Sequence, residues 1–124
     1  MPGGAPGIET RVPLMFHFGV NAGKLSLSQF VNATSTAAAK LFGLYPRKGT
    51  LAPGADADIV LFDPTREVTI SAPTLHQNCD YTPYEGMNVR GWARTVLVRG
   101  QVIIEEGKFR GKAGAGKYLP RGSF

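Results

Sequence analysis

The sequence is poor in the side chains that usually carry chemistry. It holds one cysteine, Cys79, and two histidines, His17 and His76. A lone cysteine excludes an intrachain disulfide and fits a reducing compartment. Two histidines fall short of a zinc site, which takes three or four protein ligands. No apolar stretch approaches the roughly 20 residues that span a bilayer. Met1-Pro2-Gly3-Gly4 has neither the charged nor the apolar region of a secretory signal. The expected compartment is the cytoplasm, with no membrane partner. Acidic residues are scarce in the last third, where eight Lys or Arg from Arg90 onward face only Glu105 and Glu106. These cations lie among glycines without an aromatic series for base stacking, so nucleic acid is not an expected partner.

What is present fits one modest core. A chain of 124 residues with 43% apolar and 19% charged residues has an ordinary globular composition. Residues 1–9 are rich in glycine and proline and read as a loop. Val12, Met15, Phe16 and Val20 recur at helical spacing and predict a helix from about Glu9 to Phe18, with Pro13 tolerable only in its first turn. Ser26 is a candidate cap for a second helix carrying Leu27, Phe30 and Val31. Ser35 or Thr36 is a candidate cap for a third, ended by Gly43.

Past Gly43 the pattern turns β-like. Ala57 to Phe62 predicts a strand buried on both faces and stopped by Asp63-Pro64, and Glu67 to Ile70 predicts another. Residues 73–92, with scattered prolines, glycines and aromatics, predict a long irregular connection. Thr95 to Val98 and Gln101 to Glu105, separated by Arg99-Gly100, have hairpin spacing, and Glu106-Gly107 turns the chain again toward a glycine-rich tail. Helices followed by strands define an α+β class or pieces of two structural units.

The stretch from Lys48 to Val60, KGTLAPGADADIV, resembles the signature with which amidohydrolase-superfamily enzymes leave a catalytic barrel for a small β-sandwich. The residues before it, Ser35-Thr36 and Ala39 to Gly49, are similar to the version in hydantoinases and dihydropyrimidinases. So are Asp80 to Met87, Gly91-Trp92, Val98-Arg99-Gly100 and Gly114 to Arg121. The resemblance covers nearly the whole chain. It implies an α+β fragment, the last helices of a TIM barrel followed by part of a composite β-sandwich. On that basis residues 1–45 are the C-terminal edge of the barrel, 46–110 a partial sandwich and 111–124 a tail. The parent it implies opens hydantoin or dihydropyrimidine rings to N-carbamoyl amino acids. It does so with two zinc ions bridged by a carbamylated lysine, whose ligands lie upstream of the position matching Met1. The chain alone is then expected to hold no metal site. Its implied partners are the N-terminal barrel and sandwich strands of the parent and further copies in a homo-oligomer. The alternative is a noncatalytic scaffold or oligomerisation module derived from such an enzyme.

Family enzymes hold the cyclic substrate partly through backbone groups of the loop matching Met1 to Glu9. Gly3, standing where an asparagine is frequent, is thus the one candidate substrate-binding residue, through its C=O and N–H. Other pairings have plainer readings. His76 and Cys79 lack the further ligands of a metal site. Asp56 and Asp58 at a turn-to-strand junction are expected to bond nearby backbone N–H groups rather than act in acid–base catalysis. Glu9 and Arg11 are expected to form a local charge pair.

Overall fold

The computed structural model describes residues 4–122. In chain order they form helices α1 (Arg11–Met15), α2 (Leu27–Val31) and α3 (Ala37–Leu41). Strands β1 (Ile59–Thr69), β2 (Asn88–Val98), β3 (Gln101–Glu105) and β4 (Lys108–Phe109) follow. The strands make one sheet in the order β1-β2-β3-β4. No described helix is long and apolar enough to cross a membrane.

The chain divides into two compact units, one running to Ser26 and including Asp63–Trp92, the other comprising Leu27–Phe62 and the residues from Ala93 onward. In the first unit, Pro13 is the third helical position of α1, where a backbone N–H has no intrahelical partner to lose. The predicted helix is present, but beyond Met15 it widens into a π turn, Phe16–Val20, closed by Asn21 N–H to Phe16 C=O at 3.0 Å. Phe16, Ile70, Ala72 and Val89 are buried and form the apolar core of this unit.

In the second unit α2 and α3 are not separate helices. A π turn, Asn32–Thr36, joins them. Thr36, one of the two hydroxyls expected to cap, is engaged elsewhere, reaching Gly49 C=O at 2.7 Å, and Thr34 bonds back to Phe30 C=O at 2.8 Å. Gly43, at φ 66°, ends α3 as predicted. Leu44 N–H bonds Ala39 C=O and Gly43 N–H bonds Lys40 C=O, the paired bonds of a Schellman motif. Phe30 and Ala39 are buried, and the Phe62 ring sits 6.2 Å from that of Phe30.

The strands depart from the expectations at β1, β2 and β4. Asp63-Pro64 does not end β1, because Asp63 Oδ1 accepts the N–H groups of Thr65 (2.8 Å) and Arg66 (3.2 Å) and the Thr65 hydroxyl. The carboxylate pairs the amides beside the proline, and the strand runs on through Pro64 and Thr65, which are both exposed. Nor is β1 buried on both faces, since Val60 and Leu61 are more than half exposed. β2 begins seven residues before the predicted Thr95: Asn88, Val89, Arg90 and Gly91 alternate exposed and buried, with a glycine in one inward place. The 95–105 hairpin forms, with Thr95 opposite Glu105 and Val98 opposite Gln101 and a bulge after Val96. Arg99 (φ 50°) and Gly100 (φ 77°) both adopt the left-handed region required by a two-residue turn of this kind. Glu106 (φ 48°) and Gly107 (φ 77°) repeat it, and the chain returns as β4, which the sequence reading omitted.

Gly49 makes a tight backbone approach in the second unit. It sits at φ 81°, and a Cβ there would lie 2.5 Å from that of Ala39. Gly49→Ala is therefore expected to destabilise the chain by about 1 to 3 kcal/mol in urea unfolding. Gly116→Ala, with nothing within 4 Å, should leave the midpoint unchanged. Equal midpoints for the two variants would remove the close-packing argument.

Leu27, Val31, Leu41 and Phe42 are 51 to 65% exposed in the second unit. At that exposure each forgoes roughly 1 kcal/mol of burial, and the charge of +5 is screened beyond about 8 Å at physiological salt. The isolated chain is expected to self-associate at micromolar concentration. Light scattering that reports a monomer, together with a cooperative unfolding transition, would overturn this.

Candidate functional site

In the first unit the segment after the 3-10 turn Ala72–Thr74 reaches back across the sequence to the N-terminal loop. Tyr81 OH donates to Gly4 C=O at 2.9 Å, and Gln77 Nε2 donates to Pro6 C=O at 3.5 Å. Glu9 takes two bonds from one residue: His76 N–H to Oε2 at 2.6 Å, and His76 Nδ1 with Oε1 at 2.8 Å. The expected local pair with Arg11 is therefore corrected: Glu9 pairs with His76. Beyond Glu9 the loop passes into α1 through Arg11 N–H to Gly7 C=O at 3.0 Å and the Thr10 hydroxyl to the same oxygen at 3.4 Å. Thr10 is fully buried. Gly3 lies outside the described residues.

The reaching segment is itself anchored. Ile70 N–H bonds Met87 C=O and Gly86 N–H bonds Ile70 C=O, both at 2.9 Å. Glu85 accepts the Ser71 hydroxyl at 2.6 Å and Ala72 N–H at 2.8 Å. The hydroxyl first and the amide second hold its carboxyl below the ordinary glutamate value. Near the same strand ends, His17, Glu67, Thr69, Asn88 and Arg90 help line a depression of about 360 Å³. There His17 Nδ1 accepts Arg90 N–H at 3.0 Å and Asn21 donates its amide to Arg90 C=O at 2.9 Å.

Asp56 and Asp58 meet cations rather than each other's chemistry. Lys48 Nζ is 2.9 Å from Asp56 Oδ2 and also bonds Asp58 Oδ2, while Arg47 Nε is 3.0 Å from Asp56 Oδ2. Asp58 Oδ1 accepts Arg99 N–H at 2.8 Å, the backbone bond expected of an aspartate at this junction. That bond steadies a hairpin turn whose first residue is not a favoured one. Bonding to Asp58 holds the Lys48 ammonium pKa above its ordinary 10.5, against the opposing effect of burial. Lys48, then Arg47, hold Asp56 below the ordinary 3.8. Burial pushes Asp58 upward, but the Lys48 and Arg99 bonds together leave it below 3.8. Cys79 is exposed, and His76 is taken by Glu9. Among the described residues no three His, Cys, Asp or Glu side chains form a metal-holding group, so they do not fit a zinc centre.

A loop fixed through its backbone carbonyls, set on an α+β frame, can present backbone donors and acceptors to a ligand. This frame belongs to the amidohydrolase family, whose profile matches residues 5–103. The D-hydantoinase of Geobacillus stearothermophilus is 51% identical over 124 residues, 100% of this chain and 26% of that protein. Among solved structures, a D-hydantoinase from Bacillus sp. AR9 is 50% identical with a TM-score of 0.96 over 100% of this chain and 27% of that one. A D-hydantoinase (dihydropyrimidinase) from Thermus sp. is 50% identical, with a TM-score of 0.93 over 98% of this chain and 26% of that one. The chain spans about a quarter of the length of these relatives.

The Lys48 cluster sets a pH window. The depressed aspartates add stability above the ordinary 3.8, which is lost as pH falls through their lowered values. The raised Lys48 adds stability below 10.5, which is lost as pH climbs through its raised value. Asp58→Ala is expected to cost about 1 to 2 kcal/mol across the plateau between those limits, a figure discounted for partial exposure. The deficit should shrink in acid. A deficit of constant size through the carboxylate range would show that the charge of Asp58 is not what stabilises the turn.

Proposed function

We propose that this chain is the C-terminal part of a metal-dependent cyclic-amide hydrolase that opens hydantoin or dihydropyrimidine rings to N-carbamoyl amino acids. The observation that carries this reading is an end-to-end match at 51% identity to a D-hydantoinase, with no part of the chain left over. On this reading residues 1–45 are the edge of a TIM barrel, 46–110 part of a β-sandwich, and 111–124 a tail that meets other subunits. The binuclear zinc centre with its carbamylated lysine, which polarises the ring carbonyl and activates water, is then held by the part of the parent that this chain does not match. The contribution of this chain is the loop ending at Glu9, with Gly3 offering backbone groups to the ring. The cytoplasm is its proposed compartment and a homo-oligomer its proposed assembly.

The test is a chimaera in which these 124 residues replace the matching quarter of the Geobacillus stearothermophilus enzyme. It is expected to load zinc and hydrolyse hydantoin, whereas the chain alone should show neither stoichiometric zinc by elemental analysis nor turnover. A folded, zinc-loaded chimaera without activity would favour the noncatalytic scaffold. Zinc bound one per chain by the 124 residues alone would mean that ligands have been overlooked.

A further inference from the structure

We infer that Glu9, Gln77 and Tyr81 are positioning residues: a clamp from residues 76–81 sets the backbone of residues 4–9, and through it the presentation of a cyclic-amide substrate. This rests on the reading above, under which the loop faces the ring. The clamp itself stands on geometry. Its bonds fall on Gly4, Pro6 and Glu9, so the start, middle and end of the loop are each held. The partners lie 67 to 77 residues away in sequence, so no local turn accounts for them.

Left to itself the loop has little to fix it. Gly4 would meet nothing within 4 Å if it carried a Cβ, and the bonds made within the segment begin only at the Gly7 carbonyl. A glycine- and proline-rich segment without internal bonds samples many backbone states, and an external tie selects one. The clamp is built to be rigid in turn, since Glu85 bonds Ser71 and Ala72 while Ala72 and Thr82 are buried. Among the described side chains, Gln77 Oε1 is a buried polar atom without a hydrogen-bond partner. Gln77 Nε2 is directed at Pro6 C=O, the longest of the three ties at 3.5 Å. A contact to substrate made by backbone atoms depends on positioning of this kind, because no side-chain rotamer can correct a misplaced peptide.

Tyr81→Phe removes only the hydroxyl, and Glu9→Gln keeps the shape while weakening the His76 bonds. In the 124-residue chain, both are expected to speed hydrogen exchange of the His76 and Arg11 amides, whose acceptors lie on the clamped loop at Glu9 and Gly7. In the active chimaera, each should raise KM for hydantoin about fivefold while kcat and zinc content stay within about twofold. Tyr45→Phe, which loses a hydroxyl with no bond to the loop, should change neither readout. Unchanged exchange would overturn the clamp. Faster exchange with KM unmoved would overturn its role in presenting substrate. A chimaera that fails to turn over before any substitution would overturn the reading on which this inference rests, while the exchange result would still report separately on the clamp.

Discussion

Backbone N–H groups that no helix or ladder pairs must still find an acceptor, and in this chain carboxylates supply it. Glu9 takes His76 N–H, Asp58 takes Arg99 N–H, Asp63 takes those of Thr65 and Arg66, and Glu85 takes that of Ala72. Each bond has an ionised acceptor, which makes it stronger than a neutral pair. Each also replaces a regular pairing at a point where the chain cannot make one: beside a proline, at a two-residue turn, at a 3-10 turn, or across a long loop. The helical stretches between these points are short, residues 11–20 and 27–41, and the last strand has two residues. Helices of this length are marginal alone. Tertiary ties of this kind hold them.

The same commitment bears on chemistry. Of the nine acidic residues, the four just named bond backbone, and Asp56, Glu105 and Glu106 pair with Lys48, Arg110 and Arg94. For Asp56, Asp58 and Glu85 these bonds hold the carboxyl below its ordinary value, because the partners favour its charged form. One histidine places a ring nitrogen on Glu9 and the other accepts Arg90 N–H, so both imidazoles are bonded within the fold.

How far the sequence could be read follows from the range of each interaction. The hairpin turn at Arg99-Gly100 and the helix stop at Gly43 were readable because a single glycine and its neighbours encode them. β1 crossing Asp63-Pro64 was not, because the rule that proline ends a strand is local and the Asp63 carboxylate that defeats it acts through side-chain geometry. β2 was cut short because Gly91 occupies an inward place and breaks the apolar count while keeping the alternation. The π turns after Met15 and Val31 left no periodic trace, since one extra residue per turn is lost in so short a helix. The Glu9–His76 and Tyr81–Gly4 contacts were out of reach altogether: nothing in either segment points to a partner about 70 residues away.

That last gap has a physical reason as well as a practical one. When a loop acts through its peptide groups, its own sequence carries little of the information that sets its geometry, since the groups are the same at every residue. Composition can only make the loop permissive, as Gly4 and Gly7 on either side of Ala5-Pro6 do. The specification must then be written elsewhere, in side chains that reach the loop from a rigid segment. Here that segment is a stretch whose irregular composition disguises it, although Glu85, the Ile70 bonds and the burial of Ala72 and Thr82 hold it firmly. An irregular stretch anchored at this many points is a structural element in its own right, and its tyrosine and glutamine, exposed to no local pattern, take their meaning from the loop they hold.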